Sequence, residues 1–260
     1  MLLLFCLIYE FGISGLVAQQ TQEGLLPVFK TEAKTTELGL PTVNPSEGSP
    51  VALIDIPRLG LQRLVVEGST PDDLKAGPGH LSVSPMPGEF GNAVVLGRRT
   101  TYGGPLHDLN LLRPNDQISV TTGQGTFTYI VRDVGRVGAG DLRPLEGTLD
   151  SRLTLVTSDP PFLFNGRLVV VAMLVGTPLA VPTRNPPSVS ASDLGLASNL
   201  VWFAPALLLS QLLVGTVWLA GRMRRRYWPR SVTYMFAGPV IVALAVATTM
   251  ILDRGLPGTL

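Results

Sequence analysis

The chain has 260 residues, 45% of them apolar and only 15% charged, with a mean hydropathy of +0.33; that is too apolar for a wholly soluble domain and far from a disordered one, so part of it belongs in lipid. The formal charge of +1 hides a partition, because Glu23 to Ser198 carries 14 Lys and Arg against 17 Asp and Glu while Gly221 to Ser231 alone holds five Arg. A mildly acidic middle excludes a nucleic-acid partner.

In chain order, the first feature is the apolar run Met1 to Ala18, MLLLFCLIYEFGISGLVA. It lacks a basic start and a good small-residue cleavage site, so residues 1–22 read as an uncleaved transmembrane signal anchor, and the missing basic start points to an N-terminus upstream of Met1. Glu10 is costly in lipid and marks either a contact with another helix or an interfacial position. The one cysteine, Cys6, lies in this run, which leaves no intramolecular disulfide and no thiol for any later domain.

Residues 23–50 read as a linker, with the Pro, Ser and Thr-bearing stretch Thr31 to Pro50, and residues 177–198 read as a second linker of the same kind. Between them, residues 51–176 carry seven short β-rich runs: VALIDI from 51, LQRLVVEG from 61, NAVVLG from 92, QISVTT from 117, TFTYIVRDV from 126, RLTLVT from 152 and RLVVVAML from 167. The turn Gly123 to Gly125 predicts a hairpin with a three-residue loop. Many short strands with no long amphipathic helix between them predict a mainly β domain, a barrel or a sandwich.

Beyond the second linker, Leu200 to Ala220 and Val232 to Leu252 are each 21 residues without a formal charge. Each is long enough to span a hydrocarbon core of about 30 Å. Between them lie Arg222, Arg224, Arg225, Arg226 and Arg230, which the positive-inside bias holds in the cytoplasm. The expected topology is a three-helix, multi-pass membrane protein. It puts the β domain outside the cell, a helical hairpin over 199–252 with its cytoplasmic loop at 221–231, and a short external tail over 253–260. Two histidines and scattered carboxylates form no ligand-spaced metal cluster, and no Gly-rich loop precedes a helix, so neither a metal nor another cofactor is expected.

The stretch GPGHLSVSPMPGEFGNAVVLGRRTTYGGPLHDLNLLRPNDQISVTT, followed by LTLVTSDPPFLFNGRLVVVAML, resembles the sortase family, in particular the class E and F-like sortases of high-GC Gram-positive bacteria. The resemblance covers about residues 51–176. It implies an eight-stranded β-barrel at the cell surface that joins a protein with a C-terminal sorting signal, often Leu-Pro-x-Thr-Gly, to an amine, using a cysteine thiolate, an imidazolium and an arginine.

The chain departs from that pattern twice. Where the family's strand ends in Thr-Leu-x-Thr-Cys, this one reads Thr154-Leu155-Val156-Thr157-Ser158; where the family has Gly-His-Arg, it reads Gly97-Arg98-Arg99. A serine hydroxyl needs an adjacent base, and a guanidinium does not deprotonate. Arg167 matches the family's arginine. The catalytic positions are therefore Ser158, Arg98 and Arg167, with Thr157, Asp159 and Arg99 as flanking substrate contacts. Asp159 is read either as a weak base or as paired with a nearby arginine, Thr157 as a strand residue, and Arg99 as a solvated or anion-facing charge. Arg98 either converges with Arg167 on Ser158, favouring an anion, or swings out to pair with Asp159 or Glu89. His80 and His107 fall at positions where related sequences also show histidine, and neither reads as a relocated base.

Three functions remain open on these residues. The leading one is a catalytically silent sortase-fold protein that holds a polypeptide segment, a surface protein or a membrane partner. A second is acyl transfer with Ser158 as nucleophile. A third is a structural subunit of a membrane complex.

Overall fold

The computed structural model describes residues 14–37, 45–161, 165–180, 203–226 and 230–255. The eight strands are β1 (Pro50–Ile56), β2 (Leu61–Glu67), β3 (Gly79–His80), β4 (Asn92–Leu96), β5 (Gln117–Thr122), β6 (Gly125–Gly138), β7 (Arg152–Ser158) and β8 (Gly166–Leu174). They close into a barrel in the order β1-β2-β3-β4-β7-β8-β6-β5. The pairs β2–β3 and β4–β7 are parallel, the rest are antiparallel, and β1 on β5 closes the ring.

Seven of these strands are the runs expected from alternation. The eighth, β3, has two residues and is too short for a period of two to reveal. It fits because residue 79 has no side chain: a Cβ there would lie 2.2 Å from the Gly68 carbonyl oxygen. The β5–β6 hairpin differs from expectation, since Thr122 pairs directly with Gly125 and leaves a two-residue loop. Gly125 sits at φ 137°, a conformation open to glycine, and so joins the ladder rather than the turn.

Alternation sorts the strands' side chains onto two faces. Ala93 and Val95 of β4, Leu153 and Leu155 of β7, and Leu168, Val170 and Ala172 of β8 belong to the barrel interior, with Ile54, Ile56, Ile118, Val120 and Tyr129. The intervening residues Val94, Leu96, Val156 and Val169 form a second cluster on the opposite face with Leu74 and Leu81, joined by Leu145 from the β6–β7 loop. Full burial of each such side chain contributes roughly 1.5–3 kcal/mol. Two clusters back to back fix β4, β7 and β8 rigidly, and these are the strands that carry the site.

At the N-terminal side the structure adds a helix that the sequence pattern does not delimit. A single helix, α1 (Ser14–Glu37), runs across the expected anchor–linker boundary at residue 22. The Gln22 amide explains why. Its Nε2 donates to the carbonyls of Leu64 (3.1 Å) and Ala76 (2.7 Å), and its Oε1 accepts from the Leu64 N–H (2.8 Å). Thus α1 is docked on β2 and on the one-turn helix α2 (Asp73–Ala76). Its last turns, TEAKTTE, hold good helix formers within what reads as a linker. Glu10 lies outside the described residues, as does the rest of the apolar run before Ser14. At the other end, the Leu179 N–H donates to the Gly88 carbonyl (2.8 Å) and the Phe90 N–H to the Leu179 carbonyl (2.9 Å), so the barrel domain reaches past residue 176.

The helices α3 (Phe203–Arg226) and α4 (Arg230–Gly255) form a unit of their own. Among the described residues one stretch is long and apolar enough to cross a membrane: Ala204–Arg224, 21 residues with mean hydropathy 1.6. In α4 the apolar stretch is shorter, Met235–Thr248, and the ends of the expected Val232 to Leu252 span lie outside the described side chains. Among the described residues one of the three expected spans is thus found, and most of the first lies outside them. The Arg222 guanidinium lies over the Trp218 ring at 5.8 Å, and Arg222 and Arg224 are exposed. The side chains of Arg225, Arg226 and Arg230 lie outside the described residues.

Candidate functional site

Strand register brings the three positions together. Ser158, the last residue of β7, pairs with Arg167, the second residue of β8. In the parallel ladder Leu96 pairs with Val156 and the Gly97 N–H donates to the Val156 carbonyl (3.0 Å), so two residues further on Arg98 falls beside Ser158. All three share the face of Leu96, Val156 and Val169, at the end of the second apolar cluster. Gly166 permits the close turn, since a Cβ there would lie 2.6 Å from the Asp159 carbonyl oxygen.

Ser158 is 3% exposed, and its Oγ makes no hydrogen bond among the described residues. A buried hydroxyl without a partner costs about 1–3 kcal/mol, so native cores rarely retain one without a use. Arg167 is also buried, and its Nη1 donates to the Asp141 carbonyl at 3.2 Å. Burial pushes its guanidinium below the usual arginine range, against the pull of the Asp141 charge.

Arg98, 1% exposed, is held by the Thr101 hydroxyl (2.8 Å), the Pro71 carbonyl (2.9 Å) and the Tyr102 ring, 4.6 Å from its guanidinium carbon. Tyr102 adopts a left-handed backbone at φ 52°, with its N–H donated to the Ser14 hydroxyl of α1 (3.2 Å). Helix α1 therefore touches the wall of Arg98's enclosure.

Arg99 overturns the expectation of a solvated charge. It is 4% exposed, and its Nη1 donates to the Ser158 carbonyl (2.7 Å) and to Asp159, while its Nη2 donates to Asn110 (3.1 Å). Parity gives the reason. Residue 99 follows Ala93 and Val95, whose side chains enter the barrel, so Arg99 is drawn under the end of β7. Its Nε has no partner among the described residues. Arg99, rather than Arg98, is the residue that pairs with Asp159. Thr157, grouped with the substrate contacts from sequence, shares the interior parity and spends its hydroxyl on the Gly97 carbonyl at 2.8 Å.

Asp159 is clamped between Arg99 and Arg136, the latter through Nε at 2.6 Å. Burial alone would raise its carboxyl, but the hydrogen bonds from the two arginines hold it below the usual carboxylate range. A carboxylate so engaged is a poor base for the neighbouring hydroxyl.

Neither imidazole bonds to Ser158. His107 places Nδ1 3.0 Å from the Arg99 carbonyl oxygen and Nε2 3.9 Å from Asp108 at the surface. His80 is fully buried, with Nδ1 2.8 Å from Glu67 and Nε2 3.0 Å from the Pro85 carbonyl and 3.1 Å from the Ser84 hydroxyl. A carbonyl only accepts, so Nε2 carries a hydrogen. The Ser84 hydroxyl in turn donates to the Leu81 carbonyl (2.8 Å) and accepts from the Val94 N–H (3.1 Å). The Glu67–His80–Ser84 cluster has the residue types of a hydrolytic triad, but its bonds are consumed in tying β2, β3 and β4 together. Sequence reading missed this network, whose only linear signal is two polar residues flanking His80 in a buried block.

Residues 54–175 match the sortase domain family. Sortase D of Bacillus subtilis (strain 168) is 28% identical over 122 residues, which cover 47% of this chain and 60% of that protein, so the match spans less than two thirds of that relative. Among solved structures, the sortase D5 transpeptidase of Clostridium perfringens superposes with a TM-score of 0.52 at 28% identity, over 62% of this chain and 99% of that one. Sortase E of Streptomyces avermitilis is 33% identical with a TM-score of 0.45, covering 52% of this chain and 93% of its own.

Proposed function

This chain belongs to the sortase family, and on that premise we propose that it is a membrane-attached member that binds a polypeptide segment without joining it to anything. The observation that carries the reading is the Ser158 hydroxyl, buried and without a hydrogen-bond partner among the described residues. Acyl transfer by serine needs a base within about 2.6–3.2 Å of that oxygen. The two imidazoles are engaged elsewhere, and Asp159 is neutralised by Arg99 and Arg136. Each missing catalytic group commonly supplies two to four orders of magnitude in rate.

The pocket retains the means to bind. Val156 and Val169 pack behind it, Leu142 and Leu149 of the β6–β7 loop stay exposed, and Arg167 offers donors. The attachment reading rests on α3 as a membrane span, with α4 returning and the arginines between them on the cytoplasmic side, which puts the barrel outside the cell. Both would then deliver the groove to surface proteins or to a membrane partner.

The test uses detergent-solubilised full-length protein and fluorescently labelled Leu-Pro-Ala-Thr-Gly peptides, followed by anisotropy and by chromatography of the peptide. Saturable binding that weakens in Arg167→Gln, with the peptide recovered intact, is expected. Cleaved peptide that becomes intact again in Ser158→Ala would overturn the reading in favour of serine catalysis.

A further inference from the structure

Four arginines and two carboxylates meet around the β7–β8 turn. Asp159 takes Arg99 and Arg136, and Asp141 takes Arg143 through Nε (2.9 Å) and Nη2 (2.6 Å). Arg167 is left over. It is 6% exposed, makes no ion pair among the described residues, and has one hydrogen bond, to a backbone carbonyl at 3.2 Å. The nearby Asp141 charge acts on it but is already held by Arg143, and a buried cation without a direct ion pair is costly. Beside it in register stands the Ser158 hydroxyl, likewise unsatisfied among the described residues.

Those two vacant groups discriminate between ligands. An internal peptide carbonyl would accept from the hydroxyl or from the guanidinium but bring no charge to set against the buried cation. A carboxylate takes paired N–H donors from a guanidinium in the bidentate geometry that is about twice as strong as a neutral bond, and its free lone pairs accept from a neighbouring O–H. Val169 and Val156, buried in the second apolar cluster, share the face of β8 and β7 on which this pair stands, just before the turn. With that cluster packed behind Ser158 and Arg167, a chain that brings a carboxylate to them ends there.

We infer that the segment held in this groove terminates in it, with a free C-terminal α-carboxylate bound by Arg167 and Ser158. The inference rests on the peptide-binding reading above and narrows it: the preferred ligand is a peptide acid, the chemical form left by cleavage of a chain, and not the uncleaved chain that a transpeptidase attacks.

The experiment measures full-length protein in detergent against four probes: Leu-Pro-Ala-Thr as free acid, the same peptide as amide, the amide of Leu-Pro-Ala-Asp, and acetate as a competitor. The acid is expected to bind at least about tenfold more tightly than the amide, equivalent to 1.4 kcal/mol. Arg167→Gln should erase that preference and Ser158→Ala should shrink it, with a thermal melt of each variant reporting its folding; Ser158→Ala carries the test if Arg167→Gln does not fold. Equal binding of acid and amide overturns the inference while leaving the peptide-binding reading intact, whereas no binding of any peptide removes that reading. The Asp amide binding as well as the acid overturns the terminal assignment, and acetate alone matching the peptide acid overturns the role of the groove.

Discussion

Around His80, Glu67, Ser84 and the Pro85, Leu81 and Val94 backbone groups each meet a partner, and the polar atoms there are closed off by hydrogen bonds of 2.7–3.1 Å. Around Ser158 the same barrel buries a hydroxyl, an arginine Nε and a guanidinium with no direct ion pair, leaving the first two without partners among the described residues. Both regions are buried in the same barrel and meet at β4, so the difference is not one of packing quality. A polar cluster that is complete by itself ties the fold together; one that is incomplete needs something from outside. The residue types that look most like a catalytic triad, Glu67, His80 and Ser84, belong to the first kind.

The sharpest way to break this contrast is to damage the closed cluster. His80→Ala leaves Glu67 buried without its partner, and a loss of about 3–5 kcal/mol is expected in urea melts. A loss under about 1 kcal/mol would remove the structural role assigned to the network. Next comes Arg99→Ala, which frees the Ser158 carbonyl and half of the Asp159 clamp; about 2 kcal/mol should go, with the Asp159 carboxyl rising back toward the usual carboxylate range.

A smaller, pH-dependent effect sharpens the open side. Asp159 is held below the usual carboxylate range, and the Arg143 hydrogen bonds hold Asp141 down to about 2, so both groups titrate lower in the folded chain than in the unfolded one. Their contribution is present above the unfolded value of about 3.9 and is lost as pH falls through the folded values. Stability should therefore decline on acidification below roughly pH 5, and Asp159→Asn should flatten that acid limb. An unchanged limb would show that the clamp adds nothing.

The smallest effect has the opposite sign. Ser158→Ala removes an unsatisfied buried hydroxyl, and the ligand-free protein should be as stable as before or up to about 1 kcal/mol more stable. A clear loss would mean that the hydroxyl has a partner.

The fold was legible to the extent that alternation reveals it. Seven strands show a period of two or a buried apolar run, but β3 is two residues long and is fixed by the contact of Gly79 with Gly68, which no local pattern carries. The docking of α1 was illegible because it depends on one amide, Gln22, meeting backbone groups 42 and 54 residues away. In the site, Ser158 and Arg167 were placed by the family's pattern, and their pairing follows once β7 and β8 are adjacent. The exchange of roles between Arg98 and Arg99 was not readable: adjacent arginines are identical in composition, and only strand parity decides which one goes beneath β7 and clamps Asp159. The His80 network was hidden because Glu67 and His80 are brought together by a parallel pairing across 13 residues.

Whether Ser158 ever forms a covalent bond to its ligand separates binding from acyl transfer. Intact-mass spectrometry of the full-length protein, incubated with Leu-Pro-Ala-Thr-Gly peptide and quenched in acid, reads this directly. An unmodified mass alongside saturable peptide binding is predicted. An added mass equal to the Leu-Pro-Ala-Thr acyl group, mapped to Ser158 and absent from Ser158→Ala, would contradict it.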